Sequence, residues 1–467
     1  MSRILPASLL ALAVTFSAAH AQVAPEGAPP AAPRRAAPAP LPLVPVPPAL
    51  TGPVTFTCGV AKAGETSLVP SAQMFSPVAG FDLNTVPTIA GGICSSDKPF
   101  YLSFAVPEGN YRVTAVLGGK EASVMTVRAE ARRLYLDKLP IAAGKTVTRE
   151  MDINVRVAEF KNPDGTPTRV RLKDREIGNL DWDAKLTLEF NGEHPAFHSV
   201  TIEPLVGAKA EPVLYLAGDS TMVDQDVEPW ASWGQMLPRF FLPGIVVANH
   251  AESGESSNSF LSELRFPKIM STIKPGDYFF VQFAHNDQKQ KDFLPRYHEI
   301  MAQFVTDVRA KGATPVIVTA MNRDEFDDQG HIKDTFAGYI QAAREVAEST
   351  HTQLIDLNEM SKTMFEAMGP GPDKTDHAFM HFAANTFPGQ TNAIHDNTHF
   401  NNYGAYELAR CIVHGIREDK LGLEKYLDPS VPDFNPAKPD AFADFHLAFT
   451  PIRTKEDTTK IPQANLK

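Results

Sequence analysis

The chain has 467 residues, 43% hydrophobic and 21% charged, long enough for two or three buried cores and too apolar for a mostly disordered protein. Its 55 acidic residues against 44 Lys and Arg give a formal charge of -11, which argues against a general nucleic-acid binder, since that binding rests on surplus cations. Three cysteines, Cys58, Cys94 and Cys411, are too few for a disulfide-built scaffold or a four-thiolate zinc site.

Residues 1–21 read as a signal peptide. Arg3 precedes an apolar run, and Ala19-His20-Ala21 supplies the small residues a signal peptidase reads. That run is too short to span a bilayer and no later segment is long and apolar enough, so the expectation is a periplasmic or secreted protein that is not transmembrane. Residues 22–52 are dense in proline, which removes amide donors and fixes φ, and read as a stiff linker. Export would permit Cys58 and Cys94 to pair, although spacing leaves that bond open. Cys411 lies in an apolar run and reads as a buried thiol.

Residues 53–207 show short runs with a period of two. Tyr101–Val106 alternates, Pro107-Glu108-Gly109-Asn110 turns, Tyr111–Val116 resumes, and Leu186–Phe190 alternates ahead of an expected turn at Asn191-Gly192. Such runs predict a β-sandwich accessory domain. It carries no catalytic constellation, and Trp182 alone is a weak sugar platform, so carbohydrate binding and a docking or lid role both stay open.

From 208 to 425 the pattern changes. Val213–Leu216, Ile245–Val247, Tyr278–Val281, Val316–Val318 and Leu354–Leu357 are apolar on both faces, and helical periodicity separates them, notably over Tyr297–Arg309 and Thr335–Ser349. This predicts an α/β domain with a mostly parallel, doubly covered sheet whose active loops follow the carboxyl ends of its strands. Residues 426–467, rich in proline and charge, read as a wrapping C-terminal extension.

The polar residues after those strands form the candidate site. Ser220 follows the first strand in Gly218-Asp219-Ser220 and needs a base to become nucleophilic. His399 is the best candidate, with Asp396 three residues before it on the same loop or helical turn. Gly254 follows the second strand and Asn286 the third. With the Ser220 amide they would supply three donors to an oxyanion. Taken singly, the same residues also fit a helix-capping serine, a surface histidine, a turn glycine and a capping asparagine.

Together, Gly218-Asp219-Ser220-Thr221, the Gly254 loop, His285-Asn286-Asp287 and Asp396-Asn397-Thr398-His399-Phe400 resemble the SGNH hydrolases, the GDSL-type lipases and esterases. More narrowly, they are similar to the rhamnogalacturonan acetylesterase group, carbohydrate esterase family 12. The resemblance implies a three-layer, flavodoxin-like fold, a Ser220–His399–Asp396 triad, oxyanion donors from Ser220, Gly254 and Asn286, and no metal or other cofactor. The β-rich region resembles the accessory domain of larger bacterial members. The implied partner is an acetylated plant polysaccharide or oligosaccharide, a pectin ahead of xylan. A non-catalytic carbohydrate-binding protein is the reading from a different functional class, and oligomeric state stays open.

Two departures matter. The family often has Gly-Arg-Ser-Ser where this chain has Gly254-Glu255-Ser256-Ser257, so a uronate-bearing chain would lose a counter-charge; it often has Gly-His-Asn-Asp where position 284 is alanine. Candidate substrate contacts are Trp230, Trp233, Glu255, His285, Lys289 and Arg323, together with Lys291; core packing or solvated charge is the plainer reading of several. Asp219 and Asp287 read as loop anchors. His377 and His381 have i,i+4 spacing but lack the His-Glu-x-x-His pattern of a zinc hydrolase.

Overall fold

A computed structural model of the chain describes residues 46–68, 78–387 and 390–451. The signal-peptide reading, most of the linker and the last sixteen residues of the C-terminal extension lie outside the described residues. Among those described, no helix is long and apolar enough to cross a membrane.

The strand Val213–Gly218 is buried along its whole length, and its alternate residues enter different cores. Leu214 and Leu216 join one with Trp233, Met364, Phe365, Leu408 and Ile412. Val213, Tyr215 and Ala217 join the other with Phe260, Phe266, Tyr297, Phe304 and Val346. A strand covered on both faces has no polar side to present, which is why its sequence runs apolar rather than alternating. Five parallel strands repeat this plan in the order Val246–Asn249, Val213–Gly218, Tyr278–Gln282, Thr314–Val318 and Gln353–Ile355. Numbered along the chain this is 2-1-3-4-5, the doubly wound flavodoxin-like order. Helices Arg265–Thr272, Leu294–Ala310 and Tyr339–Ser349 cover one face; Leu357–Met368 and Asn402–Glu418 cover the other. The predicted three-layer α/β architecture is present.

The β-rich region precedes it. One antiparallel sheet runs Ala79–Asp82, Phe100–Ala105, Lys185–Glu193, Ser123–Ala129 and Arg133–Ile141. Opposite it, Gly109–Leu117 lies between Val147–Val155 and Ala196–Pro204, and Val54–Cys58 follows outside. The inner faces meet through Phe56 on Phe104 and Phe190 on Phe197, at 4.7 and 4.6 Å between ring centres. Cys58 and Cys94 are joined by a disulfide, and Cys411 is a buried free thiol.

Three expectations need correction. Asn191-Gly192 is not a turn: the strand Lys185–Glu193 continues through it, and Gly192, at φ +102°, lets the Val124 carbonyl approach to where a Cβ would sit 2.0 Å away. Leu357 begins a helix instead of ending a strand, because the Asp356 side chain accepts from the Glu359 amide and caps it. The helix expected from Thr335 starts at Tyr339, after Gly338 in the left-handed region. A further finding has no sequence signal: Val147–Val155 pairs in parallel with Val246–Asn249, so the accessory and α/β sheets are one continuous sheet.

Candidate active site

The first three strands of the α/β sheet by chain order are spatial neighbours, so the loops leaving their carboxyl ends converge at the switch point of the topology. Ser220, Gly254 and Asn286 lie on these loops. Ser220 sits in a tight turn after Gly218, 7% exposed, with its carbonyl held by Ser232 Oγ at 2.6 Å and Gln225 Nε2 at 3.0 Å. The Asp219 carboxylate accepts from the Thr221 amide and hydroxyl at 2.9 and 2.8 Å, pinning the turn from the other side.

His399 reaches Ser220 from the strand Ile394–Phe400, which pairs with Phe379–Phe382. The expected loop or helical turn is thus a bulged strand: Phe400 opposes Phe379, Asp396 opposes Met380, and the three residues between have no partner. The bulge re-aims His399 away from the ladder. Its Nε2 lies 2.8 Å from Ser220 Oγ, and its Nδ1 lies 2.7 Å from Asp396 Oδ2. The other Asp396 oxygen accepts from the Thr398 and His399 amides at 2.8 and 3.1 Å. Burial raises the Asp396 pKa, but the His399 hydrogen bond and charge, with the two amides, outweigh it and bring it down to about 2. An ionised Asp396 fixes the tautomer: Nδ1–H donates to the carboxylate, leaving Nε2 to accept the Ser220 proton.

The loops bearing Gly254 and Asn286 are cross-linked. Asn286 Nδ2 donates to the Glu255 carbonyl at 2.9 Å and its Oδ1 accepts from Lys289 Nζ at 2.8 Å, so the orientation of the amide is set. Asp287 is buried and accepts from the Ser257 amide and hydroxyl at 2.9 and 2.6 Å, anchoring the loop as its sequence position suggested. Burial pushes its carboxyl up to about 7. Gly254 has φ +76°, a left-handed conformation that glycine adopts without a Cβ penalty.

Among the substrate-contact candidates, three are misplaced by the sequence reading. Trp233 is fully buried; its indole donates to Gln282 Oε1 at 3.0 Å, and Gln282 Nε2 donates to Thr221 Oγ1 at 2.7 Å, so it braces the Ser220 turn. Glu255 is fully buried and ion-paired with Lys173 and with Arg265, its charge spent inside the protein. His285 is 2% exposed against Phe336, and burial, then the charges of Arg323, His399 and Lys289, hold its pKa well below the usual value. Trp230 is half-buried on the loop after Ser220, Lys289 is exposed, and Arg323 is half-buried over Phe336 with a hydrogen bond to Thr335. Trp182, likewise, is a buried strut donating to Glu176. His377 stacks on Phe442 while His381 faces Asp324, so the two do not share a ligand position. A cleft of about 660 Å³ is walled by residues such as Leu136, Glu150, Arg239 and Leu242, and none of Ser220, His399 and Asp396 lines it.

Sequence reasoning missed Lys173 and Arg175, which reach the Gly254 loop from the accessory region. Lys173 Nζ donates to the Ser253 carbonyl at 2.9 Å, Arg175 donates to the same oxygen, and Arg175 Nε pairs with Glu252 at 2.7 Å. Separated from that loop by about eighty residues, neither gives a local signal.

A serine, an imidazole and a carboxylate in one hydrogen-bonded row, at the carboxyl edge of a doubly wound sheet, define the class: an α/β serine hydrolase. The chain belongs to the GDSL-like lipase/acylhydrolase family, whose profile matches residues 216–405. It is 39% identical over 218 residues to rhamnogalacturonan acetylesterase RhgT of Bacillus subtilis strain 168, covering 46% of this chain and 93% of that protein. It is 33% identical over 217 residues to YesY of the same organism, described as a probable rhamnogalacturonan acetylesterase, covering 45% and 94%. The solved structure of the Bacillus subtilis protein YxiM covers 79% of this chain and 99% of its own, at 23% identity and a TM-score of 0.43.

Proposed function

We propose that this protein is an exported serine esterase that removes O-acetyl groups from plant cell-wall polysaccharide, a pectin of the rhamnogalacturonan type. The observation that carries the reading is the row Asp396–His399–Ser220, with both links at hydrogen-bond distance. As Ser220 Oγ bonds to the acetyl carbonyl carbon, its proton passes to His399 Nε2. The carbonyl oxygen becomes an oxyanion facing the amides of Ser220 and Gly254 and the side chain of Asn286. Collapse breaks the bond to the sugar oxygen, which takes the proton from His399. A water then gives its proton to His399 and attacks the acetyl-serine, releasing acetate and restoring Ser220.

The substrate class rests on the likeness to RhgT, 93% of whose length is matched. The Glu255 objection to an acidic substrate falls away, because that carboxylate is buried and compensated. The Cys58–Cys94 disulfide suits an oxidising compartment.

Acetate release from acetylated rhamnogalacturonan, homogalacturonan and xylan tests the reading. Rhamnogalacturonan should be the best substrate, and Ser220→Ala should lower its turnover by at least roughly 10⁴-fold while leaving the circular dichroism unchanged. A folded Ser220→Ala variant that keeps its activity overturns the nucleophile; xylan as the best substrate overturns the pectin assignment. Sugar binding with no hydrolysis of any acetyl ester points to the non-catalytic class.

A further inference from the structure

The accessory region reaches the Gly254 loop at the Ser253–Gly254 peptide. Its segment Arg171–Glu176 is fastened to the α/β region by the Arg171 amide donating to the Glu263 carbonyl at 2.9 Å, and by buried Glu176 receiving both ends of the Arg265 guanidinium at 2.9 and 2.5 Å. This fixed segment carries Lys173 and Arg175, and both donate to the carbonyl oxygen of Ser253. The other end of that peptide is the Gly254 amide. Among the described residues, that N–H donates to no carbonyl.

We propose that Lys173 and Arg175 are positioning residues for the esterase reaction: by holding the Ser253 carbonyl, they aim and strengthen the Gly254 N–H as an oxyanion donor. A trans peptide is planar, with its C=O and N–H pointing in opposite directions, so fixing the first orients the second. Two cationic donors on the oxygen also draw electron density from the amide, and hydrogen bonds in series strengthen one another. Arg175 and Lys173 come within 3.6 and 3.8 Å of where a Gly254 Cβ would project, so the cations close on this peptide from one side. The accessory region thereby completes the machinery of its neighbour.

The inference rests on the esterase reading above, and its test separates the two. Arg175→Gln, Lys173→Met and the double variant are assayed on p-nitrophenyl acetate, a neutral ester that needs no polysaccharide docking. Affinity is measured for methaneboronic acid, which adds to Ser220 as a tetrahedral anion. The double variant should lose roughly 10-fold or more in kcat with KM unchanged, and boronate affinity should fall by the same factor. Arg175→Lys, which keeps a charged donor, should recover most of the loss. Because the Arg175 side chain is 54% exposed, Arg175→Gln alone carries the test should the double variant not fold. Unchanged kcat and boronate affinity, or a rise in KM alone, overturns the positioning role. A wild type inactive on every acetyl ester overturns the esterase reading instead.

Discussion

Asp396 uses both carboxylate oxygens, one on the His399 ring and one on two amides of its own bulge. Its folded pKa of about 2 lies below the ordinary 3.8, so the stability it contributes is present above pH 3.8 and is lost as the pH falls through 2. Asp287 behaves oppositely. Burial lifts it from 3.8 to about 7, and its Oδ2 has no hydrogen-bond partner among the described residues. A raised carboxyl stabilises the fold fully below the unfolded pKa, and that contribution is lost as pH rises from about 4 through 7. Asp287→Asn keeps the acceptor for Ser257 and removes the ionisation. Its melting temperature should thus gain on the wild type between pH 5 and 8, by a free-energy difference on the order of a few kcal/mol. Parallel melting curves at every pH in that range would refute it.

Two strands owe their function to irregularity. The bulge in Ile394–Phe400 looks in sequence like any polar loop, because the pairing that defines it comes from Phe379–Phe382, some twenty residues earlier. Gly192 is the second case. Asn-Gly is ordinarily a strong hairpin signal, but here the turn is displaced to residues 194–195 and the glycine sits within a strand that runs between two partners. Its task is close approach: φ is +102° and a Cβ would meet the Val124 carbonyl at 2.0 Å. Gly192→Ala should cost roughly 2–4 kcal/mol through the combined backbone strain and overpacking. The midpoint of urea unfolding reads this directly, and a midpoint within experimental error of the wild type would show that the strand has room to give.

At the scale of the molecule, the accessory and α/β regions share more than a boundary. Beyond the continuous sheet, the hairpin bearing Arg132 and Arg133 plugs into the loop that follows Ser220. Arg133, fully buried, pairs with Asp224 of that loop at 2.7 Å and with Asp181 of its own region at 3.1 Å. Arg132 pairs with Glu228 at 2.7 Å and donates to the carbonyls of Gln225 and Trp230. Asp224 in turn accepts from Asn249 Nδ2 at 2.8 Å, tying the loop after Ser220 to the second strand. Removing one member of a buried ionic set leaves its partners uncompensated, so Arg133→Met should lower stability by about 3–5 kcal/mol. The loss should appear in one cooperative transition, followed both by acetate release and by tryptophan fluorescence. Two separate transitions in the wild type would mean that the regions melt independently and that the arginine does not couple them.

The sequence by itself determined the elements with strong periodicity and the placing of Ser220, Gly254 and Asn286 on loops just beyond the carboxyl ends of apolar strands, because both are local patterns. Contacts between distant segments were decided only in three dimensions: the burial of Trp233 and His285, the pairing of Glu255 with Lys173 and Arg265, and the approach of Lys173 and Arg175 to the Ser253 carbonyl. A charge in a sequence carries no record of its counter-ion. Whether it faces substrate, solvent or another side chain depends on which chain segments the packing of two sheets into one brings against it.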